Sequence, residues 1–528
     1  MRIVTSRIMA EIDTRSQEFF HIPGILLMEN AGLKAFLRMR EIWGGMKAKP
    51  DFRDIKIVCI AGGGNNGGDA LVIARQARIA GVSSVHVILR SRRMNELVRI
   101  HTSIVESLAV PVLVWEEDEQ QAGEIMRTAD LIVDGIAGTG MKGALHGSAA
   151  GLVEWMRTET SAYVASVDIP SGLGPAYESG SPAVRADLTL TMGLPKYSLY
   201  TPAGRAFCGT IEVIDPGFPP ELLEDPRESG VLIIPVDDST CIGDYSIEHA
   251  DRTAYKNRRG HLGIFAGQEG TTGAAVLAAE SAGRTGTGLV TLYSDPDIYK
   301  ILAAQSRSIM VKPLPKTGKG GRLQKENLQN YSALLAGPGW GIRDREAILT
   351  ELLESGLPGV LDADGIKVLV SIWMSRGSEY VRSVTGGRWI LTPHPGECMG
   401  LLENSGKACT KEQLLADPLK YMLEISSELQ VILMLKTHVT WIVSPDGRYT
   451  VVDGMNPAMG TGGSGDVLAG VTAGLLSRGA DPFEAAVGAV TLHQLAGRRA
   501  ASEIGWFLAE DLPVYVSEIL GEENAPKI

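Results

Sequence analysis

Apolar residues recur at three- and four-residue intervals through residues 5–43, at Ile8, Ile12, Phe19, Leu26, Leu27, Ala31, Leu33 and Leu37. That spacing lays one apolar stripe along a helix, and Pro23-Gly24 divides the stripe into two helices. The pattern then changes. Asp54-Ile-Lys-Ile-Val-Cys-Ile60 is a short, nearly unbroken apolar run of the kind that fills a parallel strand covered on both faces. It leads into Ala61-Gly-Gly-Gly-Asn-Asn-Gly-Gly-Asp69 and a helical stretch over residues 70–80. Further strands are predicted at 85–89, 110–114, 131–133, 163–167, 188–192 and 210–214, most of them separated by enough chain for a crossover helix. Between about residues 219 and 251 the periodicity lapses among Pro219, Pro220, Pro226, Pro235 and many acids. A second alternation begins with a strand at 262–266, a Gly-rich turn at 267–273 and an Ala-rich helix to about residue 284. Strands follow at 289–292, 333–335, 359–361, 389–391, 431–435 and 441–443, and the chain beyond residue 463 reads as helix. The predicted fold class is α/β: a doubly wound sheet over residues 1–225, a junction at 226–250 and a second α/β domain over 251–528. The halves share an architecture but no sequence period.

Composition narrows the function. A chain of 528 residues exceeds what one core organises, which agrees with two domains. A formal net charge of −12 leaves no general basic surface for nucleic acid, so small-molecule chemistry is expected. The five cysteines are odd in number and lack metal-type spacing, which predicts reduced thiols in the cytoplasm. Charge interrupts the amino terminus before a signal-length apolar run builds up, and nowhere do about 18 uncharged apolar residues run together, so neither export nor a membrane partner is expected.

The chemistry gathers at strand ends. Asn456-Pro-Ala-Met-Gly-Thr-Gly-Gly-Ser-Gly-Asp466 opens a helix, where free N–H groups and the helix dipole suit an anion, while Asp466 adds a carboxylate able to take a proton or hold a metal. Gly62-x-Gly64-x-x-Gly67 has the form of a dinucleotide fingerprint, but no acid follows the next strand; Arg90-Ser-Arg-Arg93 stands there instead, which argues against an NAD dehydrogenase. Asn65, Asn66 and Asp69 in that loop, Asp134 before the loop at 135–143, and Asp168 in Ser166-Val-Asp-Ile-Pro-Ser-Gly172 should converge at the carboxyl edge of the first sheet. Oxygen donors without His or Cys suit a hard cation or a catalytic carboxylate. In the second half Asp362, Asp364, His394, Glu397 and Lys436 also follow strands, and the absence of a Gly-Lys-Ser/Thr loop excludes a P-loop ATPase.

These motifs, in this order, resemble those of the bifunctional NAD(P)H-hydrate repair enzymes, in which an epimerase domain is fused to an ADP- or ATP-dependent dehydratase domain. The likeness rests on Leu27-Met-Glu-Asn-Ala-Gly32, Asn65-Asn-Gly-Gly-Asp69, Gly138-Thr-Gly140, the segment around Asp168 and Pro195-Lys196, then on Leu361-Asp-Ala-Asp-Gly365, Thr392-Pro-His-Pro-Gly-Glu397 and the loop ending at Asp466. The resemblance implies a Rossmann-like first domain that interconverts the R and S forms of NADHX and NADPHX, and a ribokinase-like second domain that dehydrates the S form at the expense of ADP or ATP, giving AMP or ADP and phosphate. It implies that Asp168 is the acid/base of epimerisation and that Asn66, Asp134 and Ser171 hold K+ (potassium). Substrate would lie against Asn65, Asn66, Gly67, Gly68, Asp69, Gly138, Thr139, Gly140 and Lys196. In the second domain Asp466 would activate the substrate hydroxyl, with Ala274, Gly339 and His394 against substrate. Lys436, Thr437, His438, Val439, Thr440 and Gly465 would hold the nucleotide with its Mg2+. The expected partners are these small molecules and further copies of the chain. Thr437 stands where the family carries glycine, and Lys367, Ala458 and Gly460 also depart from its pattern. The alternative reading is a ribokinase-like kinase for a small molecule, fused to a non-catalytic Rossmann-like binding module.

Overall fold

The computed structural model describes residues 1–47, 49–141, 143–174, 177–225, 229–235, 255–314 and 328–523. The chain forms two compact units, Met1–Gly230 and Val231–Ile528. Most of the expected junction, residues 226–228 and 236–250, lies outside the described residues, as does Cys241.

The first unit opens with a short strand β1 (Arg2–Val4), whose Val4 N–H donates to Pro195 C=O at 3.0 Å. The helices Ser6–Glu18 and Gly24–Gly45 follow, broken at Pro23 as the pattern predicts. Then come β2 (Lys56–Ala61), β3 (Ser84–Leu89), β4 (Val112–Val114), β5 (Leu131–Gly135), β6 (Tyr163–Val167), β7 (Leu188–Met192) and β8 (Thr210–Ile214). They form a parallel sheet in the order β4-β3-β2-β5-β6-β7-β8. Alternate residues of β2 serve opposite cores. Ile57 and Cys59 pack with Ala35, Met39, Ala70 and Ile73 on one face, while Val58 and Ile60 pack with Met126, Leu152 and Val153 on the other. A strand buried on both faces needs an unbroken apolar run, which is what residues 57–60 supply.

The second unit contributes β9 (Ser229–Ile233), β10 (His261–Phe265), β11 (Leu289–Ser294), β12 (Met310–Pro313), β13 (Ala333–Ala336), β14 (Gly359–Leu361), β15 (Trp389–Leu391), β16 (Ile432–Leu435), β17 (Val439–Val443) and β18 (Tyr449–Asp453). Their order is β9-β18-β17-β16-β15-β14-β13-β10-β11-β12, parallel except where β17 pairs antiparallel with β16 and β18. One face packs on the helices Thr272–Arg284, Ser464–Ser477, Pro482–Ile504 and Leu512–Glu523 through residues such as Ile264, Leu335, Ile390, Ala278, Val471 and Val490. The helical ending is therefore as the sequence predicts. Strands β1, β9, β12 and β18 are additions that the apolar pattern does not single out.

Candidate active sites

In the first unit the chain runs outward from β2 through β3 to β4, then returns to β5 on the other side of β2. Open α/β sheets bind ligands at such a reversal, because the loops after the two central strands part there. The loops still touch at their base: a Cβ on Gly62 would lie 1.9 Å from the Ile136 carbonyl oxygen, so only glycine allows β2 to leave the sheet here. Above this point opens a cleft of about 1010 Å³, lined by Asn65, Asn66, Gly67, Asp69, Gly138, Thr139, Gly140, Asp168 and Lys196, and also by Asp13, Arg90 and Arg93.

Asp168 ends β6 with φ of 65°, a left-handed conformation that is costly for aspartate and marks a position where function outweighs backbone comfort. Its Oδ1 accepts from the ammonium of Lys196 and, at 3.2 Å, from Met192 N–H. Lys196 is wholly buried, and its other donors go to Met192 O and, at 3.2 Å, to Thr191 Oγ1. Asp69 lies in the same cleft. Burial, then the charges of Asp168 and Asp13, push its carboxyl well above the usual range against the pull of Lys196. Burial also raises Asp13, opposed by a hydrogen bond from Gln17 and reinforced by Asp168.

Beneath the cleft Asp134 is fully buried. Its Oδ2 accepts from Ser166 Oγ at 2.8 Å and Ser171 N–H at 2.9 Å, and its Oδ1 from Ser171 Oγ at 2.5 Å and Ile136 N–H at 3.2 Å. Burial raises its carboxyl while those hydrogen bonds hold it down, and no neighbouring cation acts on it. Asn66 donates through Nδ2 to Val167 O at 2.8 Å, and a Cβ on Gly138 would lie 2.1 Å from Asn66 Oδ1. Asn66 and Ser171 thus bracket the Asp134 loop, and a Cβ on Gly68 would lie 2.4 Å from the sulfur of Met28, which itself lines the cleft.

In the second unit the carboxyl ends of the neighbouring strands β14, β15 and β16 meet. Asp362, after β14, accepts from Thr392 Oγ1 at 2.6 Å and from Lys436 Nζ, and Lys436 N–H donates to Pro393 O at 2.9 Å. The helix Ser464–Ser477 points its first turn here from Gly463, whose φ of 94° turns the loop into the helix. Lys436 Nζ lies 3.6 Å from where a Cβ on Gly465 would stand, which puts a cation over the anion-binding turn. Burial and the Asp362 charge push Asp466 up to about 6, with Lys436 opposing. Below the turn His493 is pushed down to about 4 by burial and the Lys436 charge, despite a hydrogen bond to the Ser464 backbone.

Other expected residues have further local roles. His394 caps the helix Pro395–Asn404: its Nδ1 accepts from Gly396 N–H at 3.0 Å and Glu397 N–H at 3.3 Å, and Glu397 Oε2 accepts from His394 N–H at 3.0 Å. Gly339 O accepts from Thr271 Oγ1 at 2.7 Å, just before the helix that carries Ala274. Thr437 turns its hydroxyl onto its own loop, accepting from Val439 N–H at 3.2 Å, and Thr440 Oγ1 donates to Thr437 O at 3.2 Å. His438 O accepts from Gly454 N–H at 3.0 Å. Lys367 pairs with Asp364 at 2.9 Å.

A family model described as NAD(P)H-hydrate dehydratase matches residues 262–520, and one described as YjeF-related protein N-terminus matches residues 25–198. A bifunctional NAD(P)H-hydrate repair enzyme of Moorella thermoacetica is 33% identical, over 98% of this chain and 97% of the relative. The chain belongs to the bifunctional NAD(P)H-hydrate repair enzymes. A further member, from Coxiella burnetii, is 31% identical over 92% of this chain and 93% of its own. Among solved structures, a ribokinase-like superfamily protein of Enterococcus faecalis V583 is 24% identical with a TM-score of 0.47, covering 56% of this chain and 97% of that one.

This repair enzyme accordingly joins an epimerase to a dehydratase, an isomerase to a lyase, on a Rossmann-like unit and a second α/β unit. The reading as a small-molecule kinase with a non-catalytic first half is not favoured. Its structure adds Asp13, Arg93 and His493 to the groups at the two sites. Arg93 belongs to the basic run that follows β3, whereas nothing in the local sequence marks Asp13 or His493, because each arrives by tertiary packing from a helix with no motif of its own.

Proposed function

We propose that the repair enzyme works through two centres, each within its own unit, one built around Asp168 and the other around Asp466. The observation that carries this is that Asp168, at the carboxyl edge of its sheet, pairs with the buried Lys196, while Asp466, in the first turn of the helix Ser464–Ser477, feels the charge of the partly buried Lys436. In the hydrated nicotinamide the carbon that bears the hydroxyl adjoins the ring nitrogen. Asp168 lends that hydroxyl a proton as the nitrogen's lone pair expels it as water, then recovers a proton from the water that adds to the opposite face. Lys196 fixes the carboxylate in its strained conformation. Asn65, Asn66, Gly67, Asp69, Gly138, Thr139 and Gly140 hold the substrate, with Gly68 serving to pack the loop.

The donors fit a K+ ion. Asp134 is a buried carboxylate held by hydroxyl and backbone N–H groups, with no cation acting on it among the described residues, so Asn66, Asp134 and Ser171 would hold a hard monovalent ion through their oxygens. Bound there, the ion would supply positive charge to the buried Asp134 carboxylate beneath the loops after β2, β5 and β6. Among the described residues no group of three or more His, Cys, Asp or Glu is placed to hold a metal, which leaves mixed oxygen donors as the means available.

In the dehydratase half Asp466 takes the proton of the S-hydrate hydroxyl, which attacks the terminal phosphoryl group of ADP or ATP. The N–H groups of the Gly463–Asp466 turn and Lys436 receive the transferred phosphate. The ring nitrogen then expels phosphate, the neighbouring ring carbon gives up a proton to solvent, and NAD(P)H is restored. Asp362 and Asp466 together carry more negative charge than Lys436 offsets, which fits a Mg2+ ion arriving with the nucleotide and neutralising its phosphates. Ala274, Gly339 and His394 form the substrate side, and residues 436–440 with Gly465 the nucleotide side. Cys59, Cys398 and Cys409 are free thiols, in keeping with a cytoplasmic location. For the expected self-association, Ile504, Trp506 and Leu508 are exposed apolar side chains close together in the chain.

The test incubates the full chain with S-NADHX and ADP, then with R-NADHX. Restored NADH absorbance with AMP and phosphate is the expected result. Accumulation of a stable phosphorylated hydrate overturns the dehydratase reading, and failure of R-NADHX to feed the reaction overturns the epimerase reading.

A further inference from the structure

One end of the N-terminal cleft has no part in the chemistry above. It runs past the glycine loop to the carboxyl end of β3, where Arg90 and Arg93 line it. Arg90 Nη1 lies 3.5 Å from Ser148 Oγ, and the Arg93 guanidinium makes no ion pair among the described residues. Arg92, between them, is committed elsewhere, with Nε and Nη2 donating to Glu117 at 2.5 and 2.8 Å. The segment is fixed to the glycine loop. Arg90 N–H donates to Ala61 O at 2.8 Å, Asn95 N–H to Gly63 O at 2.9 Å, and Asn95 Nδ2 to Asn65 Oδ1 at 3.0 Å. The two arginines are therefore held at the rim of the loop that opens the helix Asn65–Ile79.

The topology orients an extended dinucleotide. Its pyrophosphate suits the amino end of that helix, and its nicotinamide end reaches β6, where Asp168 stands. The adenosine ribose then falls beyond β3. Sheets that bind NAD place an acid there for the ribose hydroxyls, and an arginine at that place accommodates a 2′-phosphate instead. Two guanidiniums gain little from a neutral ribose diol, but each can donate charge-assisted hydrogen bonds to a phosphate. We propose that Arg90 and Arg93 bind the adenosine 2′-phosphate of the hydrated cofactor, so that the epimerase half favours NADPHX over NADHX. The specificity claim rests on the epimerase reading, while the phosphate site itself does not.

Initial epimerisation rates of the full chain with each hydrate give the ratio of kcat/KM for NADPHX to that for NADHX. A ratio of about tenfold or more is expected, falling towards one in Arg93→Ala and in Arg90→Ala/Arg93→Ala through a rise in KM for NADPHX. Arg92→Ala keeps the wild-type ratio. A wild-type ratio near one, or equal losses with both substrates in the variants, overturns the proposal. Calorimetric titration of the same proteins with adenosine 2′,5′-bisphosphate and with AMP decides the phosphate site independently. Tighter binding of the bisphosphate that Arg93→Ala abolishes sustains it, and identical titrations of wild type and variant overturn it. If neither hydrate is epimerised, the epimerase reading fails, and the titration alone then decides the phosphate site.

Discussion

Asp168 and Lys196 form a buried ion pair that cannot lose one member cheaply. Asp168→Asn is expected to slow equilibration of the R and S hydrates by roughly 10²–10⁴-fold, read by chromatography of the two epimers. It should also cost about 3–5 kcal/mol in denaturant unfolding, because the Lys196 ammonium is left without its counter-charge. Replacing both, as Asp168→Asn with Lys196→Met, should recover much of the stability and none of the activity, which separates the two roles. Asp466 behaves in the opposite sense. Its folded value is raised from an ordinary 3.8 to about 6, so ionising it costs the folded state. The cost is absent below about pH 4, grows as pH climbs to 6 and is constant above, with an upper size of about 3 kcal/mol. Asp466→Asn is thus expected to abolish dehydration yet raise Tm at pH 7.5, with the gain shrinking as the pH falls to 4. In the native enzyme, kcat/KM for dehydration should rise with pH through about 6, as the base ionises.

The elements differ in how far the sequence discloses them. Leu188–Met192, Gly359–Leu361 and Trp389–Leu391 are found with the bounds that the apolar runs predict, since they are buried on both faces, and the edge strand Thr210–Ile214 keeps its predicted bounds although it is half exposed. Met310–Pro313 escapes notice because none of its residues is buried and Lys312 and Pro313 interrupt its apolar character. Tyr449–Asp453 is wholly buried but holds Thr450 and Asp453, so its run is too short to stand out. The same divide runs through the sites. Asn66, Asp134 and Asp168 are legible as polar residues ending apolar strands, whereas the partners that give them their character, Lys196 for Asp168 and Asp362 for Lys436, are set by packing across 28 and 74 positions. At Gly463 the turn itself is the constraint. Gly463→Ala would place Cβ 2.6 Å from Leu277 Cδ1 at a φ of 94°, a loss of about 1–2 kcal/mol from the backbone term alone. Its larger expected effect is a misplaced phosphate turn, measured as lost dehydration with epimerisation intact.

At the scale of the molecule, the chain folds as two α/β units of unlike topology. Among the described residues no helix is long and apolar enough to cross a membrane. The strand β9 has a consequence for dissecting the protein. Its residues Val231 to Ile233 lie parallel beside Thr450 to Val452 of β18, covering what would otherwise be the outer margin of the second sheet. A truncated dehydratase begun at residue 251 would present β18 with a row of unpaired N–H and C=O groups, a template for pairing with other chains. One begun at residue 229 keeps β18 covered and leaves the short strand β9 as the edge. Size-exclusion chromatography should accordingly find the longer fragment monodisperse and the shorter one aggregated, and a failure of the shorter fragment to dehydrate NADHX would then report stickiness rather than a missing catalytic group.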